Sequence, residues 1–185
     1  MTKKVVIISS SPRRKGNSQE LCKQFRKGAK EAGHEVEIIN LNDYKINPCL
    51  ACEYCRKHEQ RCFQKDDADR IIQKMIEADV WVLSTPVYFY SVSAQMKLLI
   101  DRFFAREYEI RNASKQRDVY YILTSGVPDL RDHLGTIESL RGFIQVLKTV
   151  KEAGIINGAG AFMPGDIFDH PAYQKAYEMG RGMIG

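Results

Sequence analysis

The chain has 185 residues, 44% of them apolar and 28% charged, with a formal net charge of +5; that length suits one compact domain over residues 1–185 rather than two. Its longest apolar runs are strand-sized, and Met1-Thr2-Lys3-Lys4 leads directly into one of them, so no membrane span or secretory leader is expected and the expected compartment is the cytoplasm. Basic residues are spread along the chain and cluster only at Arg13-Arg14-Lys15; no basic segment interleaved with aromatics resembles a nucleic-acid surface, and the cluster suits a bound phosphate or an anionic coenzyme.

Val5-Val6-Ile7-Ile8 reads as a first strand, and Ser9-Ser10-Ser11-Pro12-Arg13-Arg14-Lys15-Gly16-Asn17-Ser18 as the loop that ends it and opens a helix. The first turn of a helix leaves N–H groups unpaired and carries partial positive charge, so such a loop is a seat for an anion. The hydroxyls of Ser11 and Ser18 and the amide of Asn17 can add donors, and Arg13 can add charge. Leu21, Phe25, Ala29 and Ala32 recur at helical spacing until Gly33 stops the run, and Val36, Ile38 and Ile39 make a second strand. Residues 41–65 have no periodicity and hold Cys49, Cys52, Cys55 and Cys62; a loop of that length is uncommon without a function.

Asp66 is placed to cap a helix carrying Ile71, Ile72, Met75 and Ile76. Ala78 to Leu83 is almost wholly apolar and reads as a central strand, followed by the loop Ser84-Thr85-Pro86-Val87-Tyr88-Phe89-Tyr90. Ser93 caps a helix with Met96, Leu99, Ile100 and Phe103, and Ala105 to Gln116 reads as a polar connection open to motion. A fourth strand over 119–123 ends in Thr124-Ser125-Gly126, a helix follows with Ile137, Leu140, Ile144, Leu147 and Val150, a fifth strand spans 155–162, and Pro171 opens a last helix.

Five strands alternating with five helices predict an α/β fold: a doubly wound five-stranded parallel sheet of order 2-1-3-4-5 with helices on both faces. In that order the loops after strands one, three and four meet at one crevice, where the strand order reverses. The aromatic second loop offers a flat surface beside the anion seat, and Gly126 lets a main chain come close to a ligand.

The four clustered cysteines form C-x2-C-x2-C-x6-C. In a chain without secretion signals that spacing points to metal or redox chemistry, and it leaves open a cluster, zinc, a disulfide or free thiols. Cys22 sits on a helix face as a small core residue. His34, His133 and His170 fall near predicted helix ends or loops, where they are expected to cap or face solvent, and His58 is expected to be solvated. A phosphoacceptor module is disfavoured, because Ser9-Ser10-Ser11 stands where clustered acids would hold magnesium. A phosphatase loop is disfavoured too: Cys55 to Arg61 has the C-x5-R count but follows no strand and lacks glycine.

Ser11-Pro12-Arg13 with Gly16-Asn17-Ser18 resembles the S-P-R-x-x-G-N-[ST] phosphate loop of the flavodoxin-like NADPH-dependent FMN reductases. Thr85-Pro86-Val87-Tyr88, with Gln95-Met96-Lys97 and Asp101-Arg102, is similar to the same family's second segment. The resemblance implies a flavodoxin-like fold and an FMN-dependent NAD(P)H oxidoreductase that passes hydride to flavin and on to a quinone, flavin or other small acceptor. It implies that Ser11, Arg13, Asn17 and Ser18 bind the FMN phosphate, that Pro86, Val87, Tyr88 and Phe89 flank the ring, and that Thr124, Ser125 and Gly126 close its other edge. No catalytic side chain is implied, and a homodimer is. Ser10 departs from the family's pattern, where glycine is common, and either crowds the loop or adds a donor. Cys49, Cys52, Cys55 and Cys62 resemble the cluster segment of iron-sulfur flavoproteins, which implies an alternative: an electron carrier with FMN and a [4Fe-4S] cluster on those four thiolates.

Overall fold

The computed structural model describes residues 1–183. Strands β1 (Lys4–Ser9), β2 (Glu35–Asn40), β3 (Val80–Pro86), β4 (Arg117–Ser125) and β5 (Val150–Ala159) form one parallel sheet of order β2-β1-β3-β4-β5. This is the order expected from the sequence. β3 is buried at all seven positions, as its unbroken apolar run requires of a strand covered on both faces.

Alternation along the strands divides the core. Trp81, Leu83, Tyr121 and Leu123 face α3 (Ala68–Glu77), α4 (Ala94–Phe103) and α6 (Leu134–Leu147). Val80, Val82, Ile122 and Ile156 face α1 (Asn17–Glu31) and α7 (Pro171–Arg181). Between α1 and α7 two glycines make reciprocal room: a Cβ on Gly28 would lie 2.1 Å from Tyr177 O, and one on Gly180 would lie 2.1 Å from Phe25 O. The helix backbones therefore touch where any side chain would hold them apart. Cys22 is buried on this face, and burial pushes its thiol up to about 12, so it is inert packing.

Several expectations need correction. Two further short helices, α2 (Tyr54–Lys57) and α5 (Glu107–Arg111), bring the α-helices among the described residues to seven. α5 lies inside the segment read as a mobile polar connection. Its anchor is Arg106, whose side chain is 1% exposed. The guanidinium reaches Asp69 at 2.8 Å and Gln73 at 2.7 Å and pairs with Glu109. This buried guanidinium with its half-exposed acids, together with the fully buried Ile110, orders the stretch. β5 runs from residue 150 rather than 155 and ends before Gly160, whose φ of +91° turns the chain into the next loop. α3 begins after Asp67, but the carboxylate of Asp66 still accepts the Ala68 N–H at 3.1 Å. Ser93 caps α4 by accepting from Met96 N.

Candidate functional site

A cleft of about 360 Å³ opens at the carboxyl ends of β1, β3 and β4, within the range of roughly 300–1,000 Å³ usual for ligand sites. Of the eleven residues expected to form the site, ten border it. The exception is Phe89.

The first wall is the loop from Ser10 to Gly16. Gly16 is the N-cap of α1 and lends no side-chain cap. Its N–H bonds Arg13 O at 3.0 Å, and its carbonyl accepts from Gln19 and Glu20. The N–H groups of Asn17 and Ser18 belong to the first turn and have no acceptor within the helix. A Cβ at Gly16 would meet Arg13 Cβ, Arg13 O and Ser11 Oγ at 3.1 Å each, so the loop is wound as tightly as glycine permits. Arg14 pairs with Asp43 at 2.5 Å, whereas Arg13 borders the cleft. Ser10 neither crowds the loop nor faces the cleft: its hydroxyl donates to Ser84 O at 2.9 Å and accepts from Ser93 Oγ at 2.9 Å, tying β1 to β3 and to the cap of α4. The Asn17 amide is not free for an anion either. Its Nδ2 donates to Ala161 O and Met163 O, both at 2.9 Å, and its Oδ1 accepts from Gly165 N at 3.0 Å. What Asn17 offers the cleft is its main-chain N–H.

The second and third walls are joined by a hydrogen bond from Val87 N to Thr124 O at 2.8 Å. Beyond them Tyr88 and Ser91 exchange both main-chain hydrogen bonds, at 3.1 and 3.0 Å, around Phe89 and Tyr90, which have φ of +48° and +61°. That is a two-residue hairpin turn with both central residues left-handed, a geometry that normally selects Asn-Gly. It carries Phe89 outward to full exposure, which is why Phe89 does not border the cleft. Gly135 of α6 lets the turn close down, since a Cβ there would lie 2.5 Å from Tyr90 O.

Two features were missed from the sequence. Ala161, Phe162 and Pro164 supply a fourth wall, after β5. His133, expected near solvent, has no exposed surface, and its Nε2 lies 2.6 Å from Ser125 Oγ, which itself donates to Val127 O at 2.7 Å. Burial holds the His133 imidazole below its ordinary pKa, against the pull of Asp132. His34 is also buried and joins Lys3 N to Met183 O. His170 caps α7 as expected, and His58 stacks on Tyr54 at 3.9 Å.

The cysteines border a second cavity, of about 530 Å³, with Arg102, Phe104 and Phe143 in its lining. Cys49 and Cys52 are exposed, Cys55 and Cys62 half-buried, and all four are free thiols. Burial pushes the Cys55 thiol up, opposed by hydrogen bonds from main-chain N–H groups, and the neighbouring Cys62 and Cys49 push the same way as burial. No ready-made metal ligand set exists among the described residues. The base of the loop is firm: the buried Arg102 meets Asp66 at 2.5 Å and Asn47 O at 3.0 Å, and directs a third contact to Cys62 Sγ at 3.4 Å. Burial raises the Asp66 carboxyl, but Arg102 and the N–H groups of Asn47 and Ala68 outweigh it and hold the group below the usual carboxylate range.

A phosphate-bearing ring cofactor fits the first cleft: a glycine-wound anion loop, two free first-turn N–H groups, a cation and an aromatic wall converge there. A thiolate-bound cluster fits the second cavity in donor chemistry, because four free thiols border one space beside a buried cation.

The family model described as NADPH-dependent FMN reductase matches residues 3–150. The iron-sulfur flavoprotein MJ1083 of Methanocaldococcus jannaschii is 48% identical over 99 residues, which cover 54% of this chain and 51% of that one. The chain thus spans about half the length of the iron-sulfur flavoprotein it matches. YwqN of Bacillus subtilis, named a putative NAD(P)H-dependent FMN-containing oxidoreductase, is 26% identical over 181 residues and 94% of each chain. The solved NAD(P)H:quinone oxidoreductase from Methanothermobacter marburgensis superposes with a TM-score of 0.73 over 100% of both chains at 22% identity, a likeness of fold.

Proposed function

Because the chain belongs to the NADPH-dependent FMN reductase family, whose model spans residues 3–150, we propose that it is an FMN-dependent NAD(P)H oxidoreductase acting as one FMN-binding domain on a small electron acceptor. The observation that carries this reading is the convergence of the anion loop, Tyr88 and the Thr124–Gly126 turn on one cleft.

When bound, FMN supplies the redox chemistry, taking hydride from NAD(P)H and returning two electrons to the acceptor. With a quinone, NAD(P)H, one proton and the quinone become NAD(P)⁺ and the quinol. The chain's own residues bind and orient. The N–H groups of Asn17 and Ser18, the hydroxyls of Ser11 and Ser18 and the charge of Arg13 hold the phosphate. Pro86, Val87 and Tyr88 flank the ring, and Thr124, Ser125 and Gly126 border its other edge. The exposed Tyr88, Phe89 and Tyr90 at the rim suit a partner subunit, so the same reading makes the protein a homodimer, in the cytoplasm.

The test is a visible spectrum of purified protein, with flavin bands that NAD(P)H bleaches without oxygen; a chain that binds no FMN, or whose FMN NAD(P)H never reduces, would sink the reading. Arg13→Ala should weaken FMN binding about tenfold, as losing one charge-assisted contact does. Arg14→Ala, whose guanidinium is engaged by Asp43, should change it less than about twofold.

A second reading is favoured by the four free thiols around one cavity. There the protein is an electron carrier that adds a [4Fe-4S] cluster on Cys49, Cys52, Cys55 and Cys62 to the FMN. Anaerobic reconstitution with iron and sulfide decides it; protein that retains neither excludes the cluster.

A further inference from the structure

The loop after β5 is held more tightly than its exposure explains. The Asn17 side chain, itself 8% exposed, takes three main-chain groups of that loop at once: Ala161 O, Met163 O and Gly165 N. Asp166 Oδ2 accepts two more, Phe162 N at 3.0 Å and Met163 N at 2.7 Å. Ala161 and Ile167 anchor the two ends of the loop in the core, but the Phe162 side chain that it presents is 66% exposed and gains nothing from that burial. The ring lies against Gly126: a Cβ there would come within 2.3 Å of Phe162 Cδ2. Phe162 and Gly126 both border the cleft. The residue that positions the ring, Asn17, is also the first residue of the helix that closes the anion seat.

We propose that Phe162 is a specificity-determining wall of the cleft, fixed by Asn17, which completes the burial of a flat ring and favours planar conjugated acceptors over bulky ones. The inference rests on the FMN reading and names the acceptor class for it. An aromatic face rewards only ligands that are themselves flat and apolar, and Tyr88 and Val127 border the same space. The loop lies beyond residue 150, where the family match stops.

The glycine gives a second test, because the atoms that an alanine Cβ would strike belong to the Phe162 side chain and not to the backbone. Gly126→Ala should therefore displace the ring without unfolding the protein. Phe162→Ala is expected to raise the FMN dissociation constant, read by fluorescence titration, about fivefold, the size of one aromatic contact. It should also raise KM for 1,4-benzoquinone more than KM for ferricyanide, a bulky octahedral acceptor. Gly126→Ala alone should reproduce the loss, yet be nearly silent when added to Phe162→Ala. Unchanged FMN affinity and an unchanged ratio of the two KM values in Phe162→Ala would overturn the proposal, as would losses from the two substitutions that simply add. A wild-type chain that binds no FMN would overturn the cofactor reading itself, a result distinct from FMN binding that is indifferent to Phe162.

Discussion

His133 combines complete burial, a hydrogen bond to Ser125 Oγ and an Nδ1 without a partner among the described residues. A charged imidazole there would lose its hydration, so the native state resists the proton that the unfolded chain accepts near pH 6.5. The sign follows from linkage. Native stability is fully present above pH 6.5 and declines as pH falls through that value toward the lower native pKa, because the unfolded state then binds more protons. Chemical denaturation at a series of pH values should show this loss, and His133→Gln should flatten it. A slope that survives the substitution would assign the effect to other groups. A single histidine before a helix carries no sequence signal of burial, and its partner Ser125 lies at the end of a strand eight residues earlier.

At the scale of one turn, Phe89-Tyr90 occupies backbone that L-residues with large side chains adopt at a cost of about 1 kcal/mol or more each. The hairpin persists because Val87 is tied to Thr124 O and Tyr88 to Ser91. Replacing Phe89-Tyr90 by Asn-Gly should stabilise the single subunit by about 1 kcal/mol, the relief exceeding the added freedom of glycine in the unfolded chain, while weakening the proposed dimer. FMN affinity should not change, since neither side chain borders the cleft. Urea unfolding and flavin titration check the two halves; a destabilised variant would show that the aromatic pair is held by contacts worth more than the strain. The turn also marks a limit of sequence reading, for the residues that usually announce such a geometry are absent and nothing in the aromatic run separates Tyr88, which borders the cleft, from Phe89, which does not. The strands were legible because parallel sheet buries both faces: Val80 to Leu83 could hardly be anything else. Helix α5 was not, because one apolar residue, Ile110, and the buried Arg106 hold it rather than an apolar stripe.

Across the molecule, the order of strands and three of the four cleft walls could be read from local pattern, because loops after strands one, three and four are set by chain order once the sheet is recognised. The fourth wall depends on contacts between residues 17 and 161–165, a separation that no local pattern encodes. Gly28 and Gly180 belong to the same long-range set. Alanine in a helix interior normally gains up to about 1 kcal/mol over glycine. At Gly28 its Cβ would strike the main chain of α7, and overpacking of about 1–3 kcal/mol should win. A net loss of stability in Gly28→Ala, measured by thermal unfolding, is the expected outcome; a gain would mean that the helices separate at little cost.

That glycine contact bears on how the chain could be recombined. α1 begins at the anion loop, α7 follows the loop of Phe162, and the two helices touch backbone to backbone. A chimaera joined at residue 150, where the family match stops, would import a foreign α7, and any residue larger than glycine at the place of Gly180 would strike Phe25 O. It would also separate Asn17 from the three main-chain groups it holds. The natural unit of exchange is therefore not a contiguous segment but a pair, the first helix with the last, so grafts that keep both should inherit this cleft and grafts that keep only one should not.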